Sequence, residues 1–466
     1  MNHAMPPLTR RAMLQRCGAG FGALGLASVF AEDQSHPLDV KRPHFPARAR
    51  HVIQILANGG PGQMDTFDPK PELMKYHGRR LPVHRATERP TGAALGSPFK
   101  FAKYGKCGLE VSELFAGLAE RHADDLCVIR SMYTDTPIHE NSLRLMNCGA
   151  SIMARPSIGA WVTYGLGTEN QNLPGFVVLV PKGMPVAGSE NWQSSFLPGS
   201  YQGTYIETQG RKAGELIENL NNPFLSTGEQ RAQLDFVAQL NRRHLAMRNE
   251  AALEARIHTF ETAFRMQTAA TDAFDIDREP EHIRKMYGDT AQSRQMLIAR
   301  RLIERGVRFV QCWHGTLQPW DSHKNIAAEH RKLANESCQG ITALITDLKQ
   351  RGLFDETLII WGGEFGRTPT VELTRDNALK PTLGRDHNNQ GFSMWLAGGG
   401  TKGGQAYGAT DDFGFSAVEN RVHVHDLQAT VLHLMGLDHT RLTYRHSGRD
   451  FRLTDVKGEV VKALLV

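Results

Sequence analysis

Two short stretches in the last quarter of the chain hold its densest set of reactive side chains. They are W-G-G-E-F-G-R-T-P-T (361–370) and, after a polar spacer, G-R-D-H-N-N-Q-G (384–391). Between them they offer a carboxylate (Glu364), an Asp-His pair (Asp386, His387) and two guanidiniums (Arg367, Arg385). Carboxylate and imidazole together suit a divalent cation, and guanidiniums beside them suit a tetrahedral anion. Loop salt bridges, Glu364 to Arg367 and Arg385 to Asp386, would account for the charges. They would not account for the same arrangement recurring along the chain.

The recurrence follows strand ends. H-V-I-Q-I-L-A (51–57) reads as a strand and runs into N-G-G-P-G-Q-M-D-T-F-D, which carries Asn58 and Asp65. L-C-V-I-R-S-M-Y (126–133) is followed by T-D-T-P-I-H-E-N-S, which places His139 in the first turn of a helix closed by Cys148-Gly149. V-R-F-V-Q-C-W (307–313) leads to a loop with Asp321 and His323, and T-L-I-I-W (357–361) ends in Gly-Gly-Glu364. Helical periodicity over 293–306 and 329–351, each with a glycine stop, precedes the last two strands. Such βα units predict an α/β fold, a central and mostly parallel sheet flanked by helices. Ligands in that fold bind at the carboxyl edge of the strands.

On that edge the metal candidates are Asp65 (with Asn58 as its alternative), Asp321, His323, Glu364, Asp386 and His387. Mixed oxygen and nitrogen donors suit zinc or manganese, or calcium or magnesium where carboxylates dominate. The set is long enough for two metals. Catalytic candidates are His139, Ser142, Arg367 and Arg385, with Arg144 and Lys402 as further anion-holding side chains. The turn after the first strand lacks both G-x-x-x-x-G-K-[ST] and G-x-G-x-x-G, which argues against nucleotide binding.

Elsewhere 111–121 reads as an amphipathic helix, 175–180 as a strand and 183–207 as a loop that either shapes a pocket or simply covers surface. Residues 226–266 are helical and charged and suggest a solvent-facing insertion spanning about 220–290. F-S-M-W-L-A-G-G-G-T-K-G-G (392–404) is a strand entering a glycine loop, 424–436 a helix, and the C-terminal tail irregular edge packing.

The first 31 residues stand apart. Arg10-Arg11, a short glycine-rich apolar run and a small-residue exit at Ala31 are the pattern of a twin-arginine signal peptide. The apolar run is too short for a comfortable membrane span. Its removal takes Arg10, Arg11 and Arg16 and brings the net charge from +5 to +2. That balance gives no support to nucleic-acid binding. Residues 32–50 follow as a linker, and 51–466 as a single domain. Five cysteines remain in 32–466, without a C-x-x-C pair, so no disulfide framework is visible.

The stretches N-G-G-P-G-Q-M-D-T-F-D-P-K-P, W-D-S-H, E-F-G-R-T-P, G-R-D-H and L-A-G-G-G-T-K-G-G-x-x-Y-G-A-T-D resemble an uncharacterised family of twin-arginine-exported, sulfatase-like bacterial proteins within the alkaline-phosphatase superfamily. The resemblance implies a periplasmic, metal-dependent hydrolase of phosphate or sulfate esters, with polysaccharide fragments among the expected carriers. It implies a metal carboxylate at Asp65 or Asn58, a ligand pair at Asp321 and His323, and Glu364 at an Asp-His step whose second ligand Asp386 and His387 would restore. The superfamily's nucleophile falls on His139, ahead of Gly149. No hydroxyl stands there, so the roles open to His139 are nucleophile, general base or metal ligand, with Ser142 or Thr136 as substitutes. A catalytically inactive protein that binds an anionic glycan or cell-envelope partner is the alternative.

Replacing Arg10 and Arg11 by lysine is expected to leave unprocessed precursor inside the cell. Fractionation and immunoblotting check this, and normal export and cleavage of the double variant would remove the twin-arginine assignment.

Overall fold

Five strands buried at every residue make the centre of the molecule: His51–Leu56, Phe176–Val180, Phe309–Trp313, Thr357–Gly362 and Phe392–Ala397. Their near-continuous apolar sequences follow from being covered on both faces. The computed structural model describes residues 37–83, 85–170, 172–210, 216, 226–248, 272–373 and 383–466. The signal peptide assigned to 1–31 therefore lies outside the described residues, as does much of the helical insertion.

The central sheet runs in the order Gln405–Tyr407, Leu126–Tyr133, Phe392–Ala397, Thr357–Gly362, His51–Leu56, Phe309–Trp313, Phe176–Val180, Thr204–Glu207, with Val422–His423 also on Leu126–Tyr133. Pairing is parallel except at Phe392–Ala397, which is antiparallel to both neighbours. Side chains alternate faces along each strand. Ile53 and Ile55 join a core with Leu297 and Leu344, from the helices Ala291–Glu304 and Ile326–Gln350. Val52 and Leu56 join the opposite core with Leu145, Trp161 and Val431, from His139–Cys148, Ile158–Leu166 and Val424–Leu434.

A second, antiparallel sheet of Arg385–Asn388, Gly366–Glu372 and Thr91–Ala94 sits beyond the Thr357–Gly362 strand. Asp386 and His387 belong to a strand of this small sheet, not to a loop of the large one as the sequence suggests. The register pairs Arg367 with His387 across it.

Other expectations are corrected too. Residues 109–112 are a strand, and Ser112 caps a short 3-10 turn before the helix Ala116–His122. Thr204–Glu207, read as loop, is the edge strand. The C-terminal tail holds a hairpin, Tyr444–His446 with Arg449–Phe451. Because Phe392–Ala397 runs antiparallel, the glycine loop with Lys402 leaves at the amino edge, where Gly404 N–H donates to Leu126 O at the start of a parallel strand. Lys402 is thus on the wrong edge to hold an anion beside the other candidates. Helix Thr227–Arg248 buries none of its side chains between 228 and 240. Among the described residues no helix is long and apolar enough to cross a membrane. Cys107, Cys127, Cys148, Cys312 and Cys338 are all free.

Candidate metal centre

The first strand ends in a turn that only glycine permits. Gly59 has φ +112°, and a Cβ there would sit 2.6 Å from the Asp321 backbone nitrogen. Its N–H donates to both carboxylate oxygens of Glu364, at 3.0 and 3.1 Å, and its carbonyl accepts from Arg367. The Asn58 side chain donates to the carbonyls of Gly315 (3.1 Å) and Leu317 (2.6 Å). That ties the loop carrying Asp321 to the first strand. His139 opens the helix His139–Cys148, which Gly149 closes at φ 67°. A Cβ on Gly149 would lie 1.8 Å from Leu453 O.

These elements bring three imidazoles to one oxygen. Asp321 Oδ1 has the Nε2 atoms of His323, His387 and His139 at 2.9, 3.1 and 3.4 Å. The Nε2 atoms of His323 and His387 are 3.1 Å apart. Each ring is oriented from behind by a glutamate. His139 Nδ1–H donates to Glu364 Oε1 (2.6 Å), His387 Nδ1–H to Glu88 Oε2 (2.6 Å) and His323 Nδ1–H to Glu372. With Nδ1–H held by a carboxylate, a neutral ring presents its Nε2 lone pair, the arrangement that supports metal-ligating histidines. Ligand atoms around a four-coordinate zinc lie roughly 3.3 Å apart, close to these four separations, and His139, Asp321 and His387 form a group whose ligand atoms all lie within 4.8 Å of one another.

Without a cation this convergence is electrostatically unfavourable. Lone pairs face one another and a carboxylate, and His139 Nε2 is buried without a hydrogen-bond partner. With neutral rings, Asp321, Glu88, Glu364 and Glu372 set four negative charges against Arg367, which bonds Asp321, and Arg89, which bonds Glu372. The remainder is two negative charges, or three with Asp386 ionised, and a divalent cation offsets it. The residues therefore fit a metal. In its absence protons take the cation's place. Burial pulls the His139 pKa down, but hydrogen bonds and charge from Asp321 and Glu364 raise it to about 9. Burial works against ionisation of Asp321, yet hydrogen bonds from His139, His323 and His387 and the Arg367 charge hold its pKa far below the carboxylate range.

The other expected residues lie around this core in different roles. Arg367 is fully buried, and beyond Asp321 it donates to the carbonyls of Gly59, Gly60 and Arg385, so it braces loops and has no free face for an anion. Asp65 and Arg385 are both fully buried and pair with each other at 2.8 and 3.0 Å. This removes Asp65 from the metal cluster and Arg385 from any anion site. Glu364 stands one bond behind the cluster, with His139 between. Asp386 is buried on the glutamate side of the rings, within two further triads, with Glu88 and His387 and with His323 and Glu372. Its Oδ2 accepts from Arg89 N–H and its Oδ1 has no partner. Arg144 pairs with Glu190, and Ser142 Oγ donates to Thr136 O.

Glu88 and Glu372 escaped sequence reasoning. Glu372 closes the strand Gly366–Glu372, three residues past E-F-G-R-T-P, and belongs to no motif. Glu88 lies in a stretch without periodicity or motif, and no signal marks it.

Residues 49–465 match the family model described as "Protein of unknown function (DUF1501)", and the chain belongs to that family. A comparison with curated proteins gives no match. Among solved structures the chain is similar to PsFucS1 sulfatase from Pseudoalteromonas sp., at 12% identity over 84% of this chain and 68% of that one, with a TM-score of 0.33. It is similar to the lipoteichoic acid synthase LtaP from Listeria monocytogenes at 8% identity (89% and 78% covered, TM-score 0.34). It is also similar to alkaline phosphatase from the Antarctic bacterium TAB5 at 10% identity (85% and 99% covered, TM-score 0.33). At such identities the likeness is one of architecture alone.

The raised His139 pKa fixes a pH dependence for the metal-free protein. A pKa of about 9 against an ordinary 6.5 contributes stability that is fully present below pH 6.5 and lost as pH climbs through 9. Metal must displace those protons, so its affinity should rise over the same window. Thermal unfolding with zinc and with chelator, at pH 6 and pH 9, is expected to show the larger zinc-induced gain at pH 9. An equal or smaller gain there would contradict the assignment.

Proposed function

We propose that this family member is an exported hydrolase that uses a divalent cation to cleave phosphate or sulfate esters outside the cytoplasm. The observation that carries the reading is the convergence of three glutamate-oriented imidazoles on Asp321 Oδ1. Three nitrogens and one oxygen favour zinc or manganese over calcium or magnesium, which prefer oxygen-only sets. A cation held there would supply Lewis-acid polarisation of the ester oxygen. Arg10-Arg11 supports the export part of the proposal.

The chain's own residues favour direct attack by water. His139 holds the place where the resemblance puts a nucleophile, and its Nε2 points at Asp321. Ser142 is fully buried with its hydroxyl spent on Thr136 O, and Thr136 Oγ accepts from Ile138 N–H. With the Ser142 hydroxyl engaged and His139 turned to Asp321, a water oxygen forms the new bond to phosphorus or sulfur, and the ester oxygen leaves with a proton. A histidine where the resemblance expects a hydroxyl also favours a second reading, a non-catalytic protein that binds an anionic glycan or cell-envelope partner.

Metal analysis and chromogenic phosphate and sulfate ester assays on the exported protein separate the two. His139→Ala is expected to lower metal affinity and turnover by at least about tenfold, and Glu364→Gln metal affinity by roughly 10–100-fold. Ser142→Ala should turn over within about twofold of the parent, since its hydroxyl does not reach the centre. A protein that holds metal but cleaves neither ester would support the binding role. Full metal content and turnover in His139→Ala would refute His139 as a metal ligand.

A further inference from the structure

Asp321 enters the cluster from a tight turn, Gln318-Pro319-Trp320-Asp321. Its N–H donates to Gln318 O at 3.0 Å, and Pro319 stands at the second position, where its fixed φ suits such a turn. Trp320 is fully buried, and its N–H donates to Asn58 O at 3.1 Å, which seats the turn on the end of the first strand. Closing the turn brings the Gln318 side chain back to Asp321, where its Nε2–H donates to Oδ2 at 3.1 Å. A carboxylate only accepts, so the amide must turn its nitrogen to it. Gln318 Oε1 is then left buried without a partner, and among the described residues the side chain makes no hydrogen bond except the one to Asp321. Arg367 holds the other oxygen, Oδ1, at 2.5 Å, so the carboxylate is gripped at both ends.

We infer that Gln318 is a positioning residue of the metal centre: by occupying Asp321 Oδ2 it limits this carboxylate to one donor oxygen and biases the centre toward zinc over manganese. The inference rests on the divalent-cation reading above. Three Nε2 atoms and Oδ1 make four donors, the number that tetrahedral zinc takes. Manganese favours six-coordinate, oxygen-rich sets. A carboxylate that is free to rotate can give both oxygens to a larger cation, and the Gln318 N–H competes with that second bond. Hydrogen bonds to a ligating carboxylate orient it without preventing ligation.

Competitive titration of zinc and manganese into the metal-free full chain tests this, with folding checked by circular dichroism. Gln318→Met keeps the length of the side chain and removes its N–H, while Gln318→Ala removes its packing as well. Both are expected to lower the ratio of zinc to manganese affinity by at least about tenfold, the lower end of outer-shell effects. A ratio in Gln318→Met equal to the parent's would overturn the inference and leave the metal centre standing. An equal loss of both metals, or loss of the fold in both variants, would overturn it too, by making Gln318 a support of the turn alone. A parent that binds neither metal would overturn the divalent-cation reading, and this inference with it.

Discussion

One carboxylate oxygen sets the problem that the rest of this structure solves. Three imidazole nitrogens and a guanidinium approach Asp321 Oδ1, and the rings cannot all be neutral there without a cation. A glutamate behind each ring decides which nitrogen faces inward. Because Glu364 is itself fixed by the Gly59 N–H, the order extends from the metal candidates into the backbone of the first strand. Buried carboxylates are costly unless paired, and Asp321 and Glu364 each have a ring or a guanidinium to hold. Removing any one member would leave another charge uncompensated.

Two sheets divide the work of delivery. The parallel sheet supplies His139, Asp321, His323 and Glu364 from loops at its carboxyl edge, where ligands gather in such folds. The small antiparallel sheet supplies His387, and Glu372 from its middle strand. Arg367 joins the two, lying opposite His387 in the small sheet while donating to the carbonyls of Gly59 and Gly60 in the large one. A fully buried guanidinium bonded to five oxygens is a rigid brace, which explains why it is unavailable to substrate.

Much of this was legible before any coordinates. Strand ends followed by carboxylate or imidazole pointed to Asp321, His323, Glu364 and His139, because the period of a buried strand and its glycine stop mark the carboxyl edge directly. What stayed hidden depends on pairing between distant residues. Nothing local shows that Asp65 and Arg385, 320 positions apart, neutralise each other, so both looked like site residues. Lys402 was misplaced because a single antiparallel strand reverses which edge its loop leaves, and strand direction is not written in an apolar run. Glu88 has no periodic context at all. Glu88 and Glu372 were missed because they act on ring nitrogens rather than through a motif.

His139 gives the proposed reading its sharpest consequence, a candidate centre in which imidazole nitrogens and one carboxylate oxygen face a cation together. X-ray absorption spectroscopy of the zinc-loaded full chain, with zinc content measured per protein, tests this most directly. The proposed metal-dependent reading predicts one zinc per chain, with imidazole nitrogens and one carboxylate oxygen at roughly 2.0–2.1 Å. A spectrum dominated by oxygen ligands without imidazole scattering, or a protein that takes up no zinc at neutral pH, would contradict it.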